Sequence, residues 1–124
     1  MSMVLAVALG GAVGAVTRYG VSSGVTQGIG LGGSGTFVVN VIGALALGVL
    51  LGVAEERLGL DVVVRRGLVV GLLGGFTTFS SMMWDIVEHA EQGSWLTASA
   101  LLIASIGIGL AAMVGGLAIG RGQW

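Results

Sequence analysis

The chain has 124 residues, of which 55% are hydrophobic and only 9% charged, whereas a soluble domain carries about 25% charged residues. So few charges cannot cover a water-soluble surface. The absence of cysteine excludes disulfides and thiolate metal sites, and the formal net charge of −1 gives no footprint for a nucleic-acid partner.

A hydrocarbon layer of about 30 Å needs roughly 20 apolar residues per helical pass. Four stretches meet that length: about 4–26, 35–54, 67–87 and 95–119. They are continuous, where barrel strands would alternate over about 10 residues, so the expectation is an all-α integral membrane protein forming a single four-helix transmembrane domain over residues 1–124. No basic residue precedes Arg18, so the first stretch lacks the charged start of a cleavable signal and is expected to remain as a span.

In the first span Thr17, Arg18 and Tyr19 lie toward one end, where Arg18 either snorkels to the interface or fixes a vestibule. The second span places Thr36 and Asn40 on one helical face. Asn40 is the sharper signal, because its amide brings two donors and an acceptor that all need partners. The third span contains "GGFTTFSSMMWD", residues 74–85. Gly74 and Gly75 weaken the helix, and Thr77, Thr78, Ser80 and Ser81 can recapture freed backbone groups, which makes a local break tolerable here. Such a break survives at membrane depth only when buried in protein or lining a cavity, where unwound carbonyls can hold a small cation such as Na⁺. Phe79 shares a helical face with Met82 and Met83, and Ser81 shares one with Asp85. In the fourth span Ser99 and Ser105 are the candidate polar residues, while Trp95 and Trp124 read as interfacial anchors.

An ionisable or polar side chain in lipid faces a partner, a cavity or a pathway. Hydroxyls, an amide NH₂ and the positive edge of an aromatic ring can replace hydration water without the deep trap of a buried lysine. Thr36, Asn40, Phe79, Ser81 and Ser105 therefore suit a small, strongly hydrated anion. Packing and helix back-bonding are the alternative uses of the same residues.

The chain contains 25 glycines, with small residues at four-residue spacing at Gly10 and Gly14, Gly20 and Gly24, Gly48 and Gly52, Gly67, Gly71 and Gly75, and Gly116 and Gly120. These read as grooves for close helix packing. Four helices are too few to enclose a wet pathway, so a dimer is expected. Arg57, Arg65, Arg66 and Arg121 fall on one membrane face, which predicts that both termini are cytoplasmic.

"GGAVGAVTRYG", "GTFVVNVIG" and "GGFTTFSSMMWD", in this order and over essentially the whole chain, resemble the signature segments of the Fluc (CrcB-type) fluoride channels. The resemblance implies an antiparallel dimer with two narrow pathways that let cytoplasmic fluoride leak out passively. It further implies a break in the third helix near 74–78 and a central structural Na⁺ held by the carbonyls of Gly74 and Thr77 from both subunits. The fluoride pathway would be lined by Thr36, Asn40, Phe79, Met82, Ser81 and Ser105, with Arg18 at a vestibule and Asp85 at the position of the family's usual glutamate. Met82 stands where the family pattern has a second aromatic, and Leu101 where many members place a tyrosine. The one-sided arginines add, beside an antiparallel homodimer, the alternative of a heterodimer with an oppositely inserted homologue.

Two other classes of membrane protein share this size and composition. A small multidrug-type exporter needs a carboxylate deep in the first span, and none is there. A noncatalytic membrane assembly subunit would use the glycines and serines for packing alone. No Ser/His, paired-carboxylate or metal-ligand constellation falls within the spans, so no enzyme is expected.

Overall fold

The computed structural model describes residues 2–56 and 59–123, with only the backbone of residues 55 and 56. Arg57 and Trp124, used above for orientation and anchoring, lie outside the described residues. The described residues form helices joined by short turns: α1 (Met3–Ile29), α2 (Ser34–Glu56), α3 (Val62–Arg66), a wide π-type segment (Gly67–Leu73), α4 (Gly74–Phe76), α5 (Phe79–Glu91) and α6 (Trp95–Arg121). The segments from Val62 to Glu91 run on as one interrupted third rod, so four rods are long and apolar enough to cross a membrane.

Local chemistry sets the ends. Ser2 caps α1 by accepting from the Leu5 N–H, and α1 and α6 stop at Gly30 and Gly122, both in the left-handed region that glycine enters without a Cβ penalty. Asp61 caps the third rod by accepting from the Val63 N–H. Within the rods the apolar residues point outward in every direction, as lipid permits, and only Ala6, Val39, Phe76 and Ala98 are buried hydrophobics among the described residues.

The rods therefore cannot be held by a hydrophobic core, and they approach backbone to backbone instead. Along the α2/α6 seam a methyl at Gly48 would strike the Met113 carbonyl, and one at Gly120 would lie 2.9 Å from the Gly52 Cα. Along the α1/third-rod seam a methyl at Gly14 would strike the Leu72 carbonyl, and one at Gly75 would lie 2.7 Å from the Gly11 carbonyl. Such approaches bring Cα–H groups against carbonyls and gain dispersion that lipid cannot supply. Gly20 and Gly24 behave differently from expectation: nothing in the chain lies within 4 Å of where their side chains would begin. Their four-residue spacing reflects a smooth outer face, since the third rod has already turned away from α1 at that level.

The third rod departs from a plain helix twice. The break predicted near 74–78 is found at Thr77 and Thr78, which are extended, with ψ of 156° and 119°. The π-type segment before it was not anticipated. There the Gly74 N–H points back to the Val69 carbonyl, five residues earlier, as well as to that of Gly71. A widened turn of this kind rotates the residues beyond it relative to those before it, and occurs often at functional sites.

Candidate functional site

The break exists because two backbone N–H groups are diverted from the helix. The N–H that would close a helical bond on the Gly74 carbonyl belongs to Thr78, and it donates instead to the Asn40 Oδ1 at 2.8 Å. The N–H that would serve the Thr77 carbonyl belongs to Ser81, and it donates to the Thr78 Oγ1 at 3.2 Å, capping α5. Thr77 itself makes the last regular bond, its N–H donating to the Leu73 carbonyl at 3.0 Å, and its hydroxyl donates to the same carbonyl. Two carbonyls, those of Gly74 and Thr77, thereby lose their helical partners.

Asn40 completes the arrangement. Its Nδ2 donates to the Thr78 carbonyl at 2.9 Å while its Oδ1 accepts from the Thr78 N–H, so one side-chain amide grips both polar groups of one extended residue. This pairing copies a strand partner and fixes which way the amide faces. One Nδ2 hydrogen is used by Thr78 and the second is left over. From α1, the Arg18 guanidinium donates to the Thr77 carbonyl at 3.2 Å. Gly43, one turn beyond Asn40, gives the break its seat: a methyl there would fall on the Thr77 side-chain methyl and 3.3 Å from the Phe76 ring.

Beside the break runs a groove of about 530 Å³ between α2, the third rod and α6. Asn40, Gly74, Thr77, Phe79, Met82 and Ser105 all line it, with aliphatic walls from Leu47, Val69 and Met113. Phe79 is 72% exposed, whereas Phe76, three residues earlier, is 8% exposed, so the break separates a packing ring from a presented one. The Ser105 Oγ is buried and has no hydrogen-bond partner. It is thus not a back-bonded helix serine, unlike Thr17, whose hydroxyl donates to the Val13 carbonyl at 2.8 Å.

Four expected residues stand apart from the groove lining. Thr36 is buried in the first turn of α2. Ser81 is exposed and serves the α5 cap, its Oγ accepting from the Thr78 hydroxyl at 3.1 Å. Arg18 holds the break from the far side. Asp85 packs toward the turn into α2, where a methyl on Gly33 would lie 3.2 Å from its Cβ, and its Oδ2 is buried without a partner. Near it the His89 Nε2 donates to the Gly32 carbonyl at 2.9 Å, tying the end of α5 to the α1–α2 turn. The sequence pointed to Thr78 for its hydroxyl, which does capture the Ser81 N–H, but not for its peptide, which is what Asn40 holds, and it gave no role to Gly43. The signal for Gly43 was present in "GTFVVNVIG", where it follows Asn40 by three.

These features define a small four-span integral membrane protein with a discontinuous third helix and, beside the break, a mostly apolar groove that carries a few polar groups. The chain belongs to the family described as CrcB-like protein, camphor resistance (CrcB), which matches residues 5–117. It is 42% identical over 122 residues to the "Fluoride-specific ion channel FluC" of Chloroflexus aurantiacus, covering 98% of this chain and 97% of that one. Proteins with the same description from Allorhizobium ampelinum and Roseiflexus sp. are 45% and 40% identical over 125 and 119 residues, covering 98% and 95% of this chain and 98% and 96% of theirs.

Proposed function

We propose that this protein is a passive, fluoride-selective channel that lets cytoplasmic fluoride leave the cell and so protects against fluoride toxicity. The observation that carries this reading is the groove at the break, where the spare Asn40 N–H, the unpartnered Ser105 hydroxyl and the exposed Phe79 ring line one surface. Every one of these offers a donor or a positive ring edge, and the groove lining holds no lysine or arginine among the described residues. A small anion would exchange hydration water for several weak donors in succession, which lets it both enter and leave. Met82 contributes a polarizable wall in place of a second ring.

A groove open along one side encloses a pathway only when another subunit covers it, so the functional unit is an antiparallel dimer. The partner is a second copy or, given the arginines on one face only, an oppositely inserted homologue. Thr36, Ser81 and Asp85 belong to the approaches of the path and Arg18 to its vestibule. The termini face the cytoplasm.

The Gly74 and Thr77 carbonyls, released by diversion of the Thr78 and Ser81 N–H groups, fit a structural Na⁺ shared with the partner. When bound, that ion would neutralise the carbonyl dipoles at the break. Asn40 and Arg18 shape the site from this chain's side, Asn40 by keeping the Thr78 peptide extended and Arg18 by occupying one lone pair of the Thr77 carbonyl.

Liposomes loaded with potassium fluoride and containing the purified protein should release fluoride on addition of a potassium ionophore and retain chloride under the same gradient. The measurement is made with the chain alone and with any paired homologue. Equal chloride release, or no fluoride release in either case, would end this reading.

A further inference from the structure

Two charged side chains take no part in the proposed pathway. Arg65 and Arg66 close the short helix α3 at the start of the third rod, and both are exposed. Among the described residues neither guanidinium has an ion pair or a hydrogen bond, although Asp61 lies one turn before Arg65 and spends a carboxylate oxygen on the Val63 N–H. They stand over a cleft of about 320 Å³ whose remaining lining is apolar: Leu51 from α2 and Val62, Val69 and Val70 from the third rod.

The depth profile of this cleft matches one kind of molecule. Val69 and Val70 follow the arginines by four residues, about one turn farther along the rod and so deeper than they are, whereas Val62 precedes them at the rod's outer end. The arginine stems run along apolar surface while the guanidiniums reach the interface. The cleft thus has a cationic rim at headgroup level, with Val62 beside it, and a floor of Val69 and Val70 at acyl-chain level. Two planar forks suit a phosphodiester, which each can grip through paired N–H donors. A zwitterionic headgroup would bring its own cation against that rim, whereas an anionic one would not.

We propose that the cleft formed by Arg65, Arg66, Leu51, Val62, Val69 and Val70 is a binding site for one anionic phospholipid, with the phosphate at the arginines and an acyl chain against the valines. It lies on the face of the chain that carries the basic residues, so each chain takes its lipid from one leaflet, and the bound anionic lipid favours that orientation of the chain. The site shares only Val69 with the groove of the fluoride pathway, and its other lining residues stand apart from it.

The test is native mass spectrometry of the detergent-purified protein titrated with palmitoyl-oleoyl phosphatidylglycerol, with palmitoyl-oleoyl phosphatidylcholine, and with inorganic phosphate. The wild-type chain should bind the anionic lipid about tenfold more tightly than the zwitterionic one, and the Arg65→Gln/Arg66→Gln double variant should lose that preference. Arg65→Lys/Arg66→Lys keeps the charge needed for insertion but loses the fork, and should weaken binding about threefold. Val70→Trp fills the floor and should displace the lipid with both arginines intact. Equal binding of the two lipids, unchanged binding in Val70→Trp, or displacement of the lipid by millimolar phosphate would overturn the proposal, the last by marking a site for free anions. Fluoride efflux is expected to persist in Val70→Trp, which separates failure of this site from failure of the channel reading.

Discussion

The two glycine seams of this molecule begin alike and end differently. On the α2/α6 seam the small residues continue at four-residue spacing, and the helices remain regular over the whole contact. On the α1/third-rod seam the same spacing carries Gly10, Gly14, Gly67, Gly71 and Gly75 into contact and then stops at Thr77 and Thr78. Where glycine gives way to threonine the third rod opens, and side chains take over what backbone contact did below: Asn40 from α2 and Arg18 from α1. Glycine at a seam builds a scaffold with no chemistry of its own. Hydroxyl and amide groups at the same depth build a place where chemistry is exposed.

The largest effect should come from closing the regular seam. Gly116→Leu would drive a side chain into the Leu45 carbonyl and within 3 Å of the Val49 nitrogen, which no rotamer avoids. The protein should be lost from the monodisperse peak in size-exclusion chromatography. A well-behaved Gly116→Leu protein would show that the seam yields, and that the two seams differ less than their geometry implies.

Asn40→Asp tests the other seam at its centre. A carboxylate cannot donate to the Thr78 carbonyl and sets two acceptors against each other, a penalty of about 3 kcal/mol that corresponds to roughly a 100-fold loss of fluoride efflux. The folded peak should remain, because the α2/α6 seam is untouched. Efflux within twofold of wild type would mean that the grip on Thr78 does not control the path.

Arg18→Gln keeps a donor near the Thr77 carbonyl and removes the charge. Efflux should fall about tenfold, and the thermal midpoint should become more sensitive to replacing Na⁺ with N-methylglucamine, since the carbonyl then depends more on an outside cation. A midpoint no more salt-sensitive than wild type would remove Arg18 from any role in holding the break. Ser105→Ala is expected to have the smallest effect. Its hydroxyl has no partner to lose, so stability should stay level or rise by up to about 1 kcal/mol, while efflux falls about threefold. A drop in stability would instead reveal a bond made by Ser105 in the assembled protein.

The spans were legible because apolar length is local, while Gly74–Gly75 followed by threonines made a break tolerable and the family resemblance supplied its position. Periodicity placed Asn40 on the right rod, yet did not tell that its amide would be spent on a peptide 38 residues away, because the receiving groups belong to the backbone and leave no mark in the pattern. Thr36 and Asn40 share a helical face, but only Asn40 lines the groove, since α2 passes under the turn from α1 before it reaches the break. The π-type segment was invisible for a related reason. It lies where Gly67 and Gly71 meet α1, a contact between segments far apart in sequence that the local pattern does not record.

The grip of Asn40 on Thr78 also dictates an order of events during biogenesis. A third rod alone in lipid has nowhere to send the Thr78 N–H except back along its own axis, so it must insert as an unbroken helix. It can open only after α2 has arrived alongside to offer a replacement for the bonds it gives up. The conductive element is therefore made after insertion, by assembly, and a half-assembled chain stays sealed.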